Sequence, residues 1–513
     1  MPHIFRRAKA CRVVAVTAAL PLALSLTLAG ISHADPGAPP ERQLAESVQA
    51  PNIKRHLQEF QKIADANGGT RASGTPGFDK SSDYVAGKLR GAGYQVTVQK
   101  FDFPFFREKS TAAMSQVSPD AKVYKPTAPG SSDLGDFTTL TYSGSGDVTG
   151  KVQAVDLTLP PAPVPSSTSG CEAEDFAGFT AGNIALIQRG TCPFADKARN
   201  AQTAGASAVI IFNEGQPGRT DAFAGTLGGP GFTVPVVGAS FAVGEDLASP
   251  ANTVVKVKTD TESTTRTTNN IVAETKRGNA DKVVMAGAHL DSVLAGPGIN
   301  DNGSGSAGLL EVALQLAKVP PKNKVRFAWW GAEELGLLGS EHYVANLPEA
   351  DRGKIALYAN YDMIASPNYA YMIYDGSGGP AGSAEIEKNL AKYFDFLRLP
   401  HIPTALDGRS DYGPFMAVGI PVGGLFTGAE GVKTPEQQKM FGGEAGKPYD
   451  SCYHSACDTT KNINEKALAV NTGAIAYSVA TFAFSDNPPA RTTAAKTSPA
   501  QVKTVTHHGG LAL

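Results

Sequence analysis

Residues that can bind a metal ion follow three apolar segments of this sequence. The segments read DKVVMAGAHLDS, KVRFAWWGAEE and KIALYANYDMI, and each ends in histidine or carboxylate side chains. Another aspartate stands in the glycine-rich turn GINDNGSG, and another histidine stands in the late loop YDSCYHSACD. The residues concerned are His289, Asp291, Asp301, Glu333, Glu334, Asp362 and His454.

Imidazole nitrogen and carboxylate oxygen are ligands that suit Zn²⁺. This set is larger than one tetrahedral zinc ion needs, and it suits two ions that share a bridging carboxylate and promote hydrolysis. The adjacent acids Glu333 and Glu334 indicate a division of labour between a metal ligand and a general base. Taken singly, each residue has an ordinary explanation as a solvated turn or a helix cap. Their occurrence together at corresponding places favours the metal site.

The elements that position these residues are predicted to form an α/β fold. Apolar strands alternate with helices, which is typical of a mostly parallel, doubly wound sheet covered on both faces. Ligands of such sheets bind beyond the carboxyl ends of the strands. With 513 residues, the chain is long enough for two domains.

A strand-rich module is predicted to interrupt this α/β domain. Between about residues 115 and 265, proline and glycine become frequent and short valine-rich strands dominate. Within it, CPFADKARNAQTAGASAVIIFNEG predicts a helix followed by a buried strand. We therefore expect an α/β domain in two parts, 35–114 and 266–485, with the insertion at 115–265. Residues 35 to about 50 and 486–513 are predicted to be disordered or processed because they are rich in Ala, Pro, Thr and Ser.

The first 34 residues have the three parts of a secretory signal. A basic start, MPHIFRRAKACR, precedes an apolar run and then small residues, so cleavage is expected after Ala34. A membrane anchor is disfavoured because Pro21 and Gly30 interrupt the run. The net charge of -2, without a stripe of lysine and arginine, argues against nucleic-acid binding. We expect a secreted, extracellular monomer without membrane or nucleic-acid partners.

The cysteine count fits an exported protein with two disulfides. Removal of the signal takes away Cys11, and four cysteines remain, for which three connectivities exist. We favour Cys171–Cys192 and Cys452–Cys457, because each pair lies in a segment that reads as a separate domain. A thiolate metal site is the alternative, although no CxxC spacing supports it.

Five motifs together resemble the M28 family of di-zinc aminopeptidases, and most of all its secreted Streptomyces-type leucine aminopeptidases. The motifs are GAHLDS, GINDNGSG, WWGAEELGLLGS, NYDMI and CYHSACD, and the resemblance covers roughly 50–110 and 266–485. It implies two zinc ions per subunit, with Asp301 as the bridge between them. The remaining implied ligands are His289 and Asp362 for one ion, and Glu334 and His454 for the other.

The same resemblance implies roles for further residues. Glu333 corresponds to the general base, and Asp291 corresponds to the carboxylate that orients the ligating imidazole. Tyr453 stands where the family's tyrosine hydroxyl supports the tetrahedral oxyanion. Arg409, in DGRSDYGPF, corresponds to an arginine that contacts a substrate or product carboxylate, and Phe426, in GGLFTGA, to a wall of the apolar specificity pocket. An exposed loop arginine and a structural phenylalanine are the alternatives for these two.

The inserted module resembles a protease-associated (PA) domain, with IALIQRGTCPFADKARNAQTAGASAVIIFNEG as its core. Such modules accompany peptidase domains and are not catalytic themselves. The function implied overall is a secreted metallo-aminopeptidase that removes apolar N-terminal residues from peptides or proteins. The alternatives are a carboxypeptidase of the same family, a binding protein on a catalytically dead fold, and a single-zinc acyltransferase. Retention of all five ligands and of Glu333 argues for catalysis.

Overall fold

The structure is a computed structural model that describes residues 37–489 except 130, 132, 250 and 251. The predicted signal at 1–34 lies outside the described residues, and so does most of the predicted tail at 486–513. At the start of the tail, the backbone oxygen of Asp486 accepts a hydrogen bond of 2.7 Å from Lys282. Residues 486–489 therefore belong to the folded region.

Fourteen strands and twelve α-helices occur in the described part of the chain. The strands are β1 (Gln95–Ser118), β2 (Lys122–Tyr124), β3 (Phe137–Thr139), β4 (Gly146–Val155), β5 (Ile184–Gln188), β6 (Ala208–Phe212), β7 (Val236–Ala239), β8 (Val254–Glu274), β9 (Asn279–His289), β10 (Asn323–Trp330), β11 (Ile355–Tyr361), β12 (Met372–Tyr374), β13 (Ile402–Thr404) and β14 (Val422–Phe426). The helices are α1 (Pro40–Ser47), α2 (Ala50–Ala66), α3 (Pro76–Gly91), α4 (Phe194–Thr203), α5 (Phe241–Ala248), α6 (Gly303–Leu316), α7 (Leu338–Asn346), α8 (Glu349–Arg352), α9 (Ser383–Phe396), α10 (Tyr412–Ala417), α11 (Pro435–Phe441) and α12 (Glu465–Phe484).

The strands pair in the order β13-β12-β14-β11-β9-β10-β8-β4-β5-β6-β7-β3, with β1 paired to β8 and β2 paired to β1. We call the part of this order from β13 to β8 the larger half of the sheet. At its centre, β10, β9, β11 and β14 run parallel. Their near-continuous apolar sequences suit strands buried on both faces. The predicted α/β class, with a mostly parallel sheet, is confirmed.

Helices cover both faces of this larger half. On one face, α2, α3, α6, α9 and α12 pack against the sheet in the largest apolar core of the described chain. On the opposite face, α7 and α10 pack over Trp330 and Tyr358. Helix α12 is the one helix of the described chain that is long and apolar enough to cross a membrane, and 72% of its apolar window is buried inside the protein. That burial is typical of a core helix.

The inserted region has a smaller parallel sheet of its own. Strands β4, β5, β6 and β7 run parallel, and β3 adds antiparallel to β7. Helices α5 and α4 contribute to the two apolar cores on either side of it. The helix and the buried strand predicted inside this region are α4 and β6.

One prediction about the N-terminal segment was wrong. Residues 35–50 were expected to be disordered, yet α1 lies there and buries Leu44. Composition alone gave the wrong answer, because α1 is stabilised by long-range packing against the core that also includes α12.

A two-stranded ribbon connects the two regions. Strand β8 pairs with β4 through Val254–Thr259 and with β10 through Ile271–Glu274. Between these stretches, residues 260–268 of β8 pair antiparallel with residues 101–110 of β1, and we call this ribbon the arm. The predicted boundaries at 115 and 265 therefore both fall inside continuous strands.

Candidate functional site

The candidate site lies at the carboxyl ends of the parallel strands β9, β10 and β11. His289 is the last residue of β9, Glu333 and Glu334 follow β10, and Asp362 directly follows β11. Asp301 lies just before α6, whose N-terminus is capped by the Asn302 side chain through the Gly305 amide. A cleft of about 580 Å³ opens above these residues.

Two sets of three side chains converge in the floor of this cleft. In the first, atoms of His289, Asp301 and Asp362 lie within 4.8 Å of one another. The Nε2 atom of His289 is 3.2 Å from Asp301 Oδ1 and 3.3 Å from Asp362 Oδ1. In the second, His454 Nε2 is 3.2 Å from Asp301 Oδ2 and 2.9 Å from Glu334 Oε2. The two oxygens of Asp301 thus face different sets.

Glu333 and Asp291 stand beside the first set. Glu333 Oε2 lies 3.9 Å from His289 Nε2, which is farther than the carboxylates of Asp301 and Asp362. Asp291 accepts the Glu333 backbone N–H at 3.3 Å, and its Oδ1 lies 3.6 Å from Nδ1 of His289. The Nδ1 atom of His289 therefore faces Asp291, and its Nε2 atom faces Asp301 and Asp362.

Backbone conformation at the site is unusual for L-residues. Ala332 (φ 55°), Met363 (φ 48°) and His454 (φ 54°) adopt left-handed conformations. The first precedes Glu333, the second follows Asp362, and the third is itself in the second set. Each such residue costs of order 1 kcal/mol, so the surrounding structure holds these side chains in place against local strain.

The charges in the site perturb one another strongly. Burial alone would lower the pKa of His454, but the neighbouring Glu334 and Asp301 carboxylates outweigh it and raise that pKa to about 11. Burial raises the pKa of Glu334 to about 7, and Asp301 adds to the rise. Burial also raises the pKa of Glu333 well above its usual range. Such shifts are typical of functional sites.

The two sets fit divalent cations. Imidazole and carboxylate ligands without any thiolate are the donors expected for zinc. Among the described residues, Glu334 Oε1 is a buried oxygen without a hydrogen-bond partner. A buried anion without a partner is costly, and a bound cation would satisfy it. Asp301 contributes to both sets, so it is suited to bridge two ions.

Residues predicted to contact substrate line the same cleft. Tyr453 stacks on His454 with ring centroids 3.8 Å apart, and burial raises the pKa of its hydroxyl. Phe426 ends β14 and is partly buried at the wall. Arg409 lies at the rim, where its Nη1 is 2.9 Å from Glu430 Oε1.

Both cysteine pairs are bonded as favoured from the sequence. Cys452–Cys457 closes the loop that carries His454. Cys171–Cys192 closes a loop in the inserted region, far along the chain from the site.

Three residues that support the site had not been singled out from the sequence. Asp458 accepts the backbone N–H groups of Asn300 and Asp301, at 2.8 and 2.9 Å. Ser410 donates to Asp362 Oδ2 at 2.6 Å. Arg71 is fully buried and donates to backbone oxygens of the loop between His289 and Asp301, including Pro297 at 2.8 Å.

Of these, Asp458 and Ser410 lie inside quoted segments, CYHSACD and DGRSDYGPF, where a polar residue beside a candidate was the available signal. No signal in the sequence pointed to Arg71. A fourth such residue, Asp411, is a fully buried acid in the same segment as Ser410. Burial raises the pKa of Asp411 to about 8, and the Ser340 side chain opposes the rise.

Comparison with protein families gives two matches. The model of Peptidase family M28 matches residues 270–479, which include all seven candidate residues at the strand ends and loops. The PA-domain model matches residues 139–247, inside the predicted insertion.

Individual proteins are similar over most of the chain. An aminopeptidase of Pseudomonas aeruginosa (strain UCBPP-PA14) is 48% identical over 442 residues, which is 85% of this chain and 81% of that protein. Leucine aminopeptidase 2 of Trichophyton tonsurans is 44% identical over 453 residues, 86% of each chain. Among solved structures, an aminopeptidase from Aneurinibacillus sp. strain AM-1 matches with a TM-score of 0.61 and 28% identity, covering 88% of this chain and all of that one. A zinc aminopeptidase from Bacillus subtilis matches with a TM-score of 0.54 and 26% identity, covering 84% and 94%.

Proposed function

The chain belongs to peptidase family M28, and from this premise we propose that it removes apolar N-terminal residues from peptides with the help of two zinc ions. That it is an aminopeptidase follows from its similarity to aminopeptidases along most of its length. The number of ions, the residue preference and the role of each side chain are the parts that we propose. One observation carries the number of ions and the ligand roles: two sets of metal-binding side chains share the single carboxylate of Asp301.

In this proposal, His289 and Asp362 hold one zinc ion, Glu334 and His454 hold the other, and Asp301 bridges them. Bound zinc would polarise the scissile carbonyl group and stabilise negative charge on the oxygens of the reaction. The similarity to a zinc aminopeptidase from Bacillus subtilis supports the choice of metal. Asp458 and Ser410 act as positioning residues, because their hydrogen bonds fix Asp301 and Asp362.

Glu333 is the proposed general base. It takes the proton from the attacking water molecule and passes it to the nitrogen of the leaving group. Its position supports this role: it stands outside the two sets, 3.9 Å from His289 Nε2, and burial raises its pKa. A raised pKa makes the carboxyl a better proton acceptor near neutral pH. The Tyr453 hydroxyl, kept protonated by burial, is suited to donate to the developing oxyanion.

The apolar preference is proposed from the wall of the cleft. Tyr374, Tyr412 and Phe426 contribute aromatic surface there. The substrate's α-ammonium group would meet carboxylates such as Glu333 and Asp362 in a charge-assisted hydrogen bond. Asp291 would act through His289, as a residue that orients it.

The rival within the family is a carboxypeptidase, for which an arginine would have to capture the C-terminal carboxylate. Arg409 is the candidate, but its guanidinium group already pairs with Glu430 at 2.9 Å. The ion pair with Glu430 favours the aminopeptidase. Arg409 would then be a secondary contact for a substrate or product carboxylate.

Secretion and domain division also belong to the proposal. Two disulfides support an extracellular location, because such bonds persist in oxidising compartments. The division at 115 and 265 is supported by a PA-domain match that falls between them. A monomer that acts on free peptide N-termini, without membrane or nucleic-acid partners, completes the proposal.

A panel of aminoacyl p-nitroanilides, assayed with and without a chelator, tests this function. We expect Leu-p-nitroanilide to be cleaved about 10- to 100-fold better than Ala-p-nitroanilide in kcat/KM, since each buried methylene contributes roughly 0.8 kcal/mol. The chelator should abolish cleavage, and added zinc should restore it. Hydrolysis of N-acetyl-Leu-Leu, with Leu-p-nitroanilide left intact, would replace the aminopeptidase by the carboxypeptidase.

A further inference from the structure

The cleft has two walls that differ in origin. Strands β11, β9 and β10 carry the candidate metal residues, with β14, β12 and β13 on one side in the sheet and β8 with β1 on the other. The first wall includes Phe426 of β14 and Tyr374 of β12, where we place the side chain of the terminal residue. The second wall belongs to the arm. The residues that follow the scissile bond are therefore expected on the arm side.

The arm borders the cleft along one edge of β1. Four consecutive residues of β1 line the cleft: Phe105, Phe106, Arg107 and Glu108. Successive side chains of a strand point to opposite faces, so one face alone could not supply all four. Over residues 95–113, β1 has β8 as its one strand partner in the described chain, which leaves its other edge unpaired. Side chains from both faces consequently flank the opening.

The two charged residues on this edge differ in their partners. Arg107 faces Glu262 across the arm, with Nη2 2.8 Å from Oε2. Glu108, in contrast, has no basic group within 4.0 Å among the described residues. It is half-buried. Burial raises the pKa of its carboxyl group to about 7, and a hydrogen bond with the Thr139 side chain opposes that rise. A partly desolvated acid without an ion-pair partner thus stands at the mouth of the cleft.

We propose that Glu108 is a specificity-determining residue that binds a lysine or arginine side chain in the leaving portion of the peptide. The inference rests on the proposed function, since it needs the scissile bond to lie over Asp301. A cationic side chain would supply the opposite charge that Glu108 lacks. The aliphatic stem of that side chain would lie against the apolar lining of the cleft.

The expected size of the effect follows from the partial burial of the site. Exposed ion pairs contribute little, whereas a pair with one desolvated partner contributes more. We expect peptides with lysine behind the scissile bond to be cleaved about 3- to 10-fold better in kcat/KM than peptides with norleucine there. High salt should reduce that ratio, because the lysine end of the pair is open to solvent.

The test compares Leu-Lys-Ala-Ala and Leu-Ala-Lys-Ala with their norleucine counterparts, using the full chain. The wild type should prefer lysine at one of the two positions, and Glu108→Gln should bring that ratio to about one. Asp260→Asn is the matched control: it also removes one negative charge from the arm, but Asp260 pairs with Lys109 away from the cleft lining. This variant should keep the wild-type ratio.

Assays with Leu-p-nitroanilide distinguish a failure of this inference from a failure of the function on which it rests. It has no amino acid behind the scissile bond, so its cleavage should be unchanged in both variants. If the wild type cleaves it but shows no lysine preference, or if Glu108→Gln keeps that preference, the inference is wrong and the function stands. Loss of the preference in Asp260→Asn would also refute it, since a general charge effect would then suffice. A wild type inactive on this substrate would instead refute the proposed function.

Discussion

Buried carboxylates have different partners in the two parallel regions of this protein. In the inserted region, Glu214 follows β6 and is 1% exposed. Its Oε2 lies 2.6 Å from Arg219, and its Oε1 accepts the backbone N–H groups of Ser166 and Ser167. At the ends of β9–β11, by contrast, buried carboxylates face two histidines and one another.

The difference shows how to separate a structural acid from a functional one. A buried charge is expensive unless it is paired and hydrogen-bonded. Arg219 and two backbone amides meet that need for Glu214. Among the described residues, the ion-pair partners of Asp301, Glu334 and Asp362 are the two histidines, His289 and His454. The proposed zinc ions would supply the remaining positive charge.

Glu333→Gln should cause the largest change. We expect kcat/KM for Leu-p-nitroanilide to fall about 10²- to 10⁴-fold, or about 3–5 kcal/mol in activation free energy, because glutamine cannot accept the proton. Zinc content, measured on the same sample, should stay at the wild-type value. A variant that loses its zinc together with its activity would make Glu333 a ligand and not a base.

Removal of metal should be the next largest effect, and it should act on stability. Metal that binds only the folded state at a thousandfold excess over Kd stabilises it by about 4 kcal/mol. Exhaustive chelation should therefore lower Tm, and zinc should restore it. Calorimetry with and without chelator provides the measurement. An unchanged Tm would mean that the carboxylates at β9–β11 need no external cation.

Glu214→Gln should produce a stability loss without a catalytic one. Removing one member of a buried pair leaves Arg219 without its partner, and we expect a loss of about 3 kcal/mol in the free energy of unfolding. The figure is at the low end for such pairs because Arg219 is partly exposed. Denaturant titration gives this value, and kcat/KM should change less than twofold. A catalytic defect equal to that of Glu333→Gln would erase the contrast between the two regions.

The smallest effect concerns Lys197, whose Nζ is buried in the inserted region and donates to the Ser169 backbone oxygen. Burial lowers its pKa to about 8. Between about pH 8 and the ordinary lysine pKa near 10.4, the unfolded chain binds more protons than the folded one. Stability of the wild type should therefore rise with pH across this window.

Lys197→Met removes that titration. The difference in unfolding free energy between wild type and Lys197→Met should shift in favour of the wild type by about 2 kcal/mol from pH 7.5 to 9.5. Paired denaturant titrations at the two pH values would measure the shift. A shift in the opposite direction would mean that the ammonium is stabilised where it lies.

The sequence predicted the parts of this protein that have local signals. His289, Glu334 and Asp362 could be placed together because each ends an apolar strand, and parallel strands end at one edge of a sheet. The helix α4 and strand β6 were likewise predicted from periodicity within one short segment. The disulfides could be predicted because each cysteine pair lies in a segment that reads as a separate domain.

What the sequence missed depends on contacts between distant segments. Asp458 accepts an N–H group from a residue 157 positions earlier, and Arg71 donates to an oxygen 226 positions later. Asp458 stands beside a candidate residue in CYHSACD, but no local pattern shows which distant residue either side chain contacts. The arm is similar, since its register joins residues that are 150 (Ser110 and Asp260) to 167 (Phe101 and Thr268) positions apart. Helix α1 was missed because its stability comes from packing against distant elements and not from its own composition.

The most direct test of the central claim is the zinc content of wild type and Asp301→Asn, measured by mass spectrometry after removal of unbound metal. If Asp301 bridges two ions, the wild type should hold two zinc ions per chain and Asp301→Asn should lose most of both. The control variant Asp260→Asn, which changes an acid on the arm, should still hold two zinc ions per chain. One ion per wild-type chain, or an Asp301→Asn variant that keeps two, would contradict the shared site.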